Sequence, residues 1–155
     1  MSIKSVEGNF ENPYVNKLLL KHFEELRSVS PANSCHVLDI EGLKKDFIKF
    51  WSLWEDGNLI GCGALKFLEK NHGELKSIRI SDPYRKKDYG RKVIEHLIFE
   101  AKKLKIKKIS LETGAGVFFD PARKLFKKCG FEKCGPFADY KEDKDSCYMT
   151  KIIDN

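Results

Sequence analysis

The chain has 155 residues, which is enough for one well-buried core and short for two. Its composition, 41% hydrophobic and 34% charged, is that of an ordinary soluble globular protein, and no window approaches the run of about 18 apolar residues that spans a membrane. The net charge of +6 fits an anionic ligand, an acidic partner or nucleic acid, and a solvated lysine-rich surface explains it equally well.

The chain shows no sign of division or of a targeting segment. No repeat, linker or low-complexity tract occurs, which predicts a single domain over residues 1–155. The N-terminus lacks the charged and apolar regions of a signal peptide, so we expect a cytoplasmic protein without a membrane partner. The five cysteines are odd in number, scattered and without a CxxC pair, so we expect no metal and mostly buried or unreactive thiols at Cys35, Cys62, Cys129, Cys134 and Cys147.

The first half of the chain reads as helices followed by antiparallel strands. Asn12 and Pro13 form a helix start, and an apolar stripe at helical spacing, which includes His22, follows them. A short second helix is predicted near Ile40 to Lys45. Two aromatic-rich runs, separated by the letters EDGN, then predict a hairpin, because Asp-Gly favours the positive φ angles of a tight turn; they cover Phe47 to Trp54 and Leu59 to Leu68.

The second half contains a strand, a basic loop and a long amphipathic helix in direct succession. The strand Glu74 to Ser81 leads into the loop Asp82–Arg91, which opens the helix. Backbone N–H groups, a positive helix end and cationic side chains meet in such a loop, which suits a diphosphate. A strand at Ile109 to Glu112 would complete a parallel βαβ unit.

The remaining elements close the sheet. A helix is predicted to begin at Asp120, as N-cap, with Pro121 at its first position, and to end before Gly130. Phe131 to Lys133 and Ser146 to Ile153 read as closing strands. The predicted class is mixed α/β (α+β), with an antiparallel front half and one parallel crossover.

In this order the motifs resemble those of the GCN5-related N-acetyltransferase (GNAT) superfamily. The matching segments are the strand LKSIRISD, the loop Arg85-Lys86-Lys87-Asp88-Tyr89-Gly90 followed by Arg91, the strand LETG, and PARKLFKKCGF; the resemblance is strongest from about Phe50 to Ile153. It implies a GNAT fold, with a mixed, mostly antiparallel, splayed sheet flanked by helices. It also implies an N-acetyltransferase that moves the acetyl group of acetyl-CoA to a primary amine by direct transfer in a ternary complex, without a metal.

The resemblance also assigns the residues that bind acetyl-CoA. The loop holds the pyrophosphate, and backbone groups at the end of the preceding strand hold the pantetheine arm and polarise the thioester; together these are Arg79, Ile80, Ser81, Arg85, Lys86, Lys87, Asp88, Tyr89, Gly90 and Arg91. Asp88 departs from the family, which usually has glycine there. Aspartate tolerates left-handed backbone geometry, but its charge would repel a pyrophosphate unless Arg85, Lys86, Lys87 and Arg91 offset it or Asp88 turns away and caps the helix.

Two carboxylates are candidates for the chemistry. Glu74 matches the place where several family members carry a glutamate base, and partial burial there would raise its pKa; the alternative is a solvent-facing residue at a strand edge. Glu112, on the next strand, could bind the acceptor amine or act through water, and the alternative is a structural partner for a lysine.

Other candidates fit less well. The family's usual tyrosine general acid is replaced here by Phe126, which we expect in the core, so that role is vacant or falls to Tyr140, Tyr148, water or solvent. His72, beside Gly73 and Glu74, could help as a base, but a lone loop histidine is more often exposed and without a role, which is the interpretation preferred here. A covalent role for Cys134 is rejected because no histidine lies nearby in sequence and direct transfer is the family norm.

Two rival functions follow from these departures. Asp88 and Phe126 would fit a CoA-binding module with little catalysis, and the basic charge would fit a nucleic-acid-binding protein, although helix-turn-helix, RNP and zinc-finger signals are lacking. The acceptor is expected to be a small-molecule or peptide amine, and no sequence motif identifies which one. A homodimer is possible, since dimers are frequent in the family.

Overall fold

The structure is a computed structural model that describes residues 3–31, 36 and 38–153. In chain order the α-helices and strands are β1 (Lys4–Glu7), α1 (Pro13–Val29), α2 (Ile40–Leu43), β2 (Ile48–Glu55), β3 (Asn58–Glu69), β4 (His72–Ile80), α3 (Tyr89–Lys103), β5 (Lys108–Gly114), α4 (Asp120–Lys128), β6 (Glu132–Cys134) and β7 (Ser146–Ile152). Within this part of the chain, no helix is both long and apolar enough to cross a bilayer.

The strands form one open sheet in the order β1-β2-β3-β4-β5-β7-β6. The pair β4–β5 is parallel, and the other neighbouring pairs are antiparallel. Because α3 connects β4 to β5, this is the predicted βαβ unit, and the predicted fold class is confirmed. Strand β1 was not predicted from the sequence, since it is four residues long and pairs with β2 at the edge of the sheet.

Local sequence signals explain where several elements begin and end. The Asn12 side chain accepts hydrogen bonds from the N–H groups of the first turn of α1, as predicted. Asp56 and Gly57, between β2 and β3, both have positive φ (52° and 80°), the geometry of a tight hairpin turn. Gly130 ends the chain's fourth helix with φ +95°.

At the start of α4 the predicted cap is wrong. Phe119, not Asp120, is the N-cap residue, and Asp120 is the first residue of the helix. Its carboxylate pairs with the guanidinium of Arg123 one turn later instead of capping the helix. An acidic residue in the first turn still complements the helix dipole, so the sequence signal is displaced by one position.

The two faces of the sheet carry separate cores. Helices α3 and α4 cover one face, where Val93, Ile94, Leu97 and Phe126 pack on Trp51 and other strand residues. On the opposite face α1 and α2 cover β2 and β3 through the residues Val15, Leu19, Phe23, Leu43, Phe50, Cys62 and Ala64. The region of that second face over β4, β5 and β7 bears a cluster of polar side chains.

Strands β4 and β5 diverge halfway along their length. Their parallel pairing runs from His72↔Lys108 to Leu75↔Leu111 and stops there, although both strands continue. On its other edge β4 contains a bulge, because Ser77 and Ile78 together face the single residue Gly63 of β3. Ser77 has φ +56° within that bulge. The bulge and the divergence therefore lie at the same level of the sheet, and this level holds the candidate site.

Candidate active site

A cavity of about 90 Å³ lies between the diverging ends of β4 and β5. Since one water molecule takes up about 30 Å³ in the liquid, the space admits a few heavy atoms rather than a whole ligand. Three consecutive residues of each strand line it, together with the C-terminal half of α1. The lining residues are His22, Leu26, Ser30, His36, Leu75, Lys76, Ser77, Glu112, Thr113, Gly114 and Phe119.

Glu112 brings a carboxylate to this cavity from β5. Its Oε2 accepts a hydrogen bond of 2.8 Å from the Ser146 hydroxyl on β7. Burial raises the pKa of Glu112 above its ordinary value, a shift that the Ser146 bond and the positive charge of Lys76 oppose. The structure thus places one predicted carboxylate in the cavity, in a setting that favours proton uptake.

Glu74, the other predicted carboxylate, lies in a closed polar network. It is 1% exposed, so the alternative of a solvent-facing residue is wrong. Its Oε2 accepts hydrogen bonds from the Tyr140 hydroxyl at 2.5 Å and from Lys76 Nζ at 3.2 Å, and Lys76 Nζ is 3.1 Å from the same hydroxyl oxygen. Burial, followed by the charge of Glu74, raises the pKa of Tyr140 and keeps that hydroxyl protonated. Each member of the network has its partners, and Glu74 is not among the described residues that line the cavity.

Two further polar residues of the cavity lining each carry a buried side-chain atom without a hydrogen-bond partner among the described residues, and sequence reasoning assigned neither. His22 of α1 is 5% exposed and its Nδ1 has no hydrogen-bond partner among the described residues. Burial and the nearby charge of Arg79 lower the pKa of His22 to about 4, so its imidazole is neutral at pH 7. The buried hydroxyl of Ser77 likewise lacks a partner within the described part of the chain. A histidine inside an apolar helical stripe was the available signal for His22, whereas the bulge that positions Ser77 has no local signal.

The other candidates for proton transfer lie elsewhere. Phe126 is buried against Phe131, with ring centroids 5.9 Å apart, which confirms it as a core residue. Tyr148 donates its hydroxyl to the backbone carbonyl of Lys141 at 2.7 Å. Neither Tyr140 nor Tyr148 is among the described residues that line the cavity, and both hydroxyls donate hydrogen bonds within the fold.

His72 and the cysteines do not contribute to this site. The prediction of an exposed His72 is wrong, because it opens β4, is buried, and its Nε2 lies 2.8 Å from the Ser110 hydroxyl. Burial raises the pKa of Cys134 and that of Cys62, the latter to about 12, which disfavours the reactive thiolate. Cys35 lies outside the described residues. Within them, no cluster of three or more His, Cys, Asp or Glu side chains could hold a metal ion.

The loop before α3 has the predicted left-handed geometry but not the predicted cap. Asp88 has φ +67° and immediately precedes the first residue of α3, Tyr89, without accepting a side-chain capping bond. Its carboxylate instead accepts hydrogen bonds from Arg91 at 3.1 and 2.5 Å, and these lower the pKa of Asp88. Arg91 therefore offsets the charge of Asp88 directly, and the loop keeps the side chains of Arg85, Lys86 and Lys87 on its surface.

At its C-terminal end β4 pairs with β3 on one edge, and no described strand pairs with its other edge. The guanidinium of Arg79 donates hydrogen bonds of 2.6 and 3.3 Å to the carboxylate of Glu25 on α1, so this side chain links β4 to α1. Ile80 pairs with Gly61 of β3, and the Ser81 N–H donates to the carbonyl of Ile60. Beyond Leu75, no described strand pairs with the β5-facing edge of β4.

Gly90 has a packing role at the start of α3. A Cβ atom placed on it would lie 2.6 Å from Cδ2 of Leu125 on α4. A side chain there would force the end of the Leu125 side chain to move, at the point where the basic loop enters α3. A substitution at this glycine thus tests packing as much as it tests ligand binding.

Comparison with known proteins gives one consistent family. The sequence model of the acetyltransferase (GNAT) family matches residues 14–131. The uncharacterized N-acetyltransferase YsnE of Bacillus subtilis (strain 168) is 46% identical over 139 residues, which cover 90% of this chain and 92% of that protein. The uncharacterized N-acetyltransferase YedL of Escherichia coli (strain K12) is 37% identical over 142 residues, covering 92% and 89%.

Solved structures share the architecture. A Bacillus subtilis acetyltransferase in complex with CoA superimposes with a TM-score of 0.72 at 19% sequence identity, covering 98% of this chain and 99% of that one. At this identity the match concerns the fold.

Proposed function

The chain belongs to the acetyltransferase (GNAT) family, and from this premise we propose that it transfers the acetyl group of acetyl-CoA directly to a primary amine held in the cavity between β4 and β5. The observation that carries the proposal is the cavity itself: an opening between two parallel strands, with a carboxylate that favours proton uptake on one wall and an unpaired strand edge on the other.

The donor is proposed to lie along the open edge of β4, with its diphosphate at the loop before α3. Backbone groups of β4 beyond Leu75 are free of β5, and a pantetheine arm has the amide groups to pair with them. The first-turn N–H groups of α3 have no partners within the helix and suit phosphate oxygens. Of the residues predicted for the donor, Arg79 is then expected to act through its backbone only, because Glu25 holds its side chain.

Glu112 is proposed as the group that removes a proton from the acceptor ammonium. Its raised pKa makes it a stronger base than an ordinary carboxylate, and it borders the space that the amine would enter. Glu74 is the weaker candidate, because its carboxylate already accepts hydrogen bonds from Lys76 and Tyr140. His22 also faces the cavity, but a pKa of about 4 makes its imidazole a poor proton acceptor.

The reaction proceeds without a covalent enzyme intermediate. The deprotonated amine nitrogen attacks the thioester carbonyl carbon, a C–N bond forms, and the carbonyl π electrons move to oxygen. The tetrahedral intermediate then re-forms its C=O bond and breaks the C–S bond. The nitrogen loses its second proton to solvent, Glu112 releases to solvent the proton that it took from the ammonium, and the departing thiolate takes up one proton from solvent, so that one proton is released for each acetyl group transferred. Positioning two reactants in one small cavity supplies much of the acceleration.

Acceptor-dependent thiol release tests the proposal. The full chain would be incubated with acetyl-CoA and a panel of amino acids, polyamines, arylalkylamines, aminoglycosides and lysine peptides, with free thiol measured against a no-acceptor control and acetylated product identified by mass spectrometry. We expect at least one amine class to raise thiol release above that control. Tight acetyl-CoA binding by calorimetry together with background release for every class would instead support the rival function, a CoA-binding module with little catalysis.

A further inference from the structure

Ser77 combines three features at one position of β4. It lies in the bulge, its φ is +56°, and its hydroxyl is buried without a partner among the described residues. Positive φ is uncommon for a residue other than glycine, asparagine or aspartate. A strained backbone and an unsatisfied buried hydroxyl both cost stability, and such positions concentrate where a ligand is bound or transformed.

The surroundings of Ser77 show what its hydroxyl can reach. Ser77 lines the cavity from β4, and Glu112 lines it from β5. The Ser77 carbonyl is engaged from the other side by the Cys62 thiol at 3.4 Å, which anchors the bulge against β3. Lys76, the neighbouring cation, is committed to Glu74 and Tyr140. Ser77, whose buried hydroxyl has no partner among the described residues, thus lies on the wall opposite the proposed base.

We propose that the Ser77 hydroxyl donates a hydrogen bond to the carbonyl oxygen of the bound acetyl group and to the oxyanion that forms from it. The inference rests on the proposed acetyl transfer and adds to it a side-chain donor. Attack of the amine on the carbonyl carbon drives negative charge onto the carbonyl oxygen, which a hydroxyl on the wall opposite Glu112 would stabilise. A donor already in place there costs no reorganisation when the charge develops.

The bulge gives the hydroxyl this position. In a regular strand, residue 77 would follow the alternation of its neighbours, and a bulge redirects a side chain by inserting one extra residue. Serine is small enough for a cavity of about 90 Å³ and still carries a donor. His22, with its unpartnered Nδ1, faces the same space as a neutral group and is expected to contact the ligand rather than to carry charge.

The decisive variant is Ser77→Gly, with Ser77→Ala beside it. Glycine adopts φ +56° without strain, so Ser77→Gly removes the hydroxyl while preserving the bulge, whereas Ser77→Ala removes the hydroxyl and keeps the strain. If the hydroxyl acts as proposed, both variants lose the hydrogen bond to the acetyl carbonyl oxygen and differ only in stability. A thermal unfolding midpoint of Ser77→Gly close to that of the unsubstituted chain is the folding control.

Binding of a CoA thioester, compared with binding of a CoA thioether, tests this inference without any acceptor. We expect the unsubstituted chain to bind acetyl-CoA about three- to tenfold more tightly than S-ethyl-CoA, which lacks the carbonyl oxygen, and we expect Ser77→Gly to lose this preference. With an acceptor, kcat should fall about 10²-fold with little change in the KM of the amine.

The outcomes separate this inference from the proposed function. An unchanged preference for acetyl-CoA over S-ethyl-CoA in Ser77→Gly overturns the inference, whatever the activity assays give. Loss of the preference supports it even if no amine in the panel is acetylated, a result that would count against the proposed function alone.

Discussion

Glu74 and Glu112 lie on the same face of two neighbouring strands, yet their surroundings differ completely. Glu74 pairs in register with Ser110, and Glu112 follows Ser110 by two positions, so both side chains leave the same side of the sheet. Glu74 is enclosed by a lysine and a tyrosine that satisfy it. Glu112 has the Ser146 hydroxyl as a partner, lies near the charge of Lys76 and borders the cavity.

The difference arises from where the two strands separate. Glu74 lies in the part of β4 that still pairs with β5, where the neighbouring strand and the Tyr140 loop close over it. Glu112 lies just beyond the last pair, where the gap between the strands leaves room for a ligand. The buried, hydrogen-bonded carboxylate of Glu74 is thereby interpreted as structural, and the half-buried carboxylate of Glu112 beside the cavity as chemical.

Replacement of Glu112 by glutamine should have the largest effect on activity. Glutamine keeps the shape and a hydrogen bond to Ser146 but cannot take a proton, so we expect kcat/KM for an active amine to fall about 10³-fold. In the unsubstituted chain the rate should rise with pH through the raised pKa of Glu112, and this limb should be absent from the variant. Steady-state kinetics across pH measures both.

Stability provides the control for Glu112→Gln. Because its folded-state pKa is raised, the native protein binds this proton more tightly than the unfolded chain does. Stability from this group is therefore greatest below its unfolded pKa and is lost as pH rises through the folded value. At pH 7 the uncharged variant should be at least as stable as the parent chain. Unaltered kcat/KM at every pH would remove Glu112 as the base.

Replacement of Glu74 by glutamine should mainly reduce stability rather than activity. It leaves the ammonium of Lys76 buried without its counter-charge, and breaking such a pair costs about 3 kcal/mol. Urea unfolding would measure this loss, and the double variant Glu74→Gln/Lys76→Met should recover much of it. A normally stable Glu74→Gln protein with greatly reduced kcat would reverse the roles assigned to the two glutamates.

Substitution of His22 tests whether its buried imidazole is neutral in the folded protein. Since burial lowers its pKa from 6.5 to about 4, the unfolded chain binds the proton more tightly. The contribution of His22 to stability is intact above about pH 6.5 and is lost as pH falls through the folded value, amounting to about 3 kcal/mol by pH 4. His22→Gln should lack this component when unfolding free energies at pH 7 and pH 4.5 are compared. An identical pH dependence in both proteins would contradict a buried neutral imidazole.

Asp88 extends the comparison to an exposed carboxylate, with the smallest expected effect. Asparagine tolerates the same left-handed backbone and releases Arg91, so Asp88→Asn should tighten acetyl-CoA binding by about two- to fivefold, an effect that added salt should reduce. Arg85→Ala is the matched control and should weaken binding, because it removes an exposed cation from the same loop. If neither variant changes the calorimetric affinity, the loop is not the diphosphate site.

Features that depend on a few consecutive residues were predictable from the sequence. Asn12 caps α1, Asp56 and Gly57 form the turn between β2 and β3, and the order of strand, loop and helix around Asp82–Arg91 identifies the family. In each case the controlling atoms lie within one turn of the chain, so a local pattern is sufficient.

The features that distinguish the candidate site were decided by tertiary structure. The burial of Glu74 depends on Tyr140, 66 positions later. The neutral state of His22 depends on burial and on Arg79 of β4. The bulge at Ser77 depends on the register with β3, and the cavity at Glu112 depends on where β4 and β5 part. The sequence by itself determined the family and the fold, because those signals are local, and it supplies the proposal that the loop binds the donor. The state of each carboxylate was settled only by tertiary structure, because burial and pairing come from residues far apart in the chain.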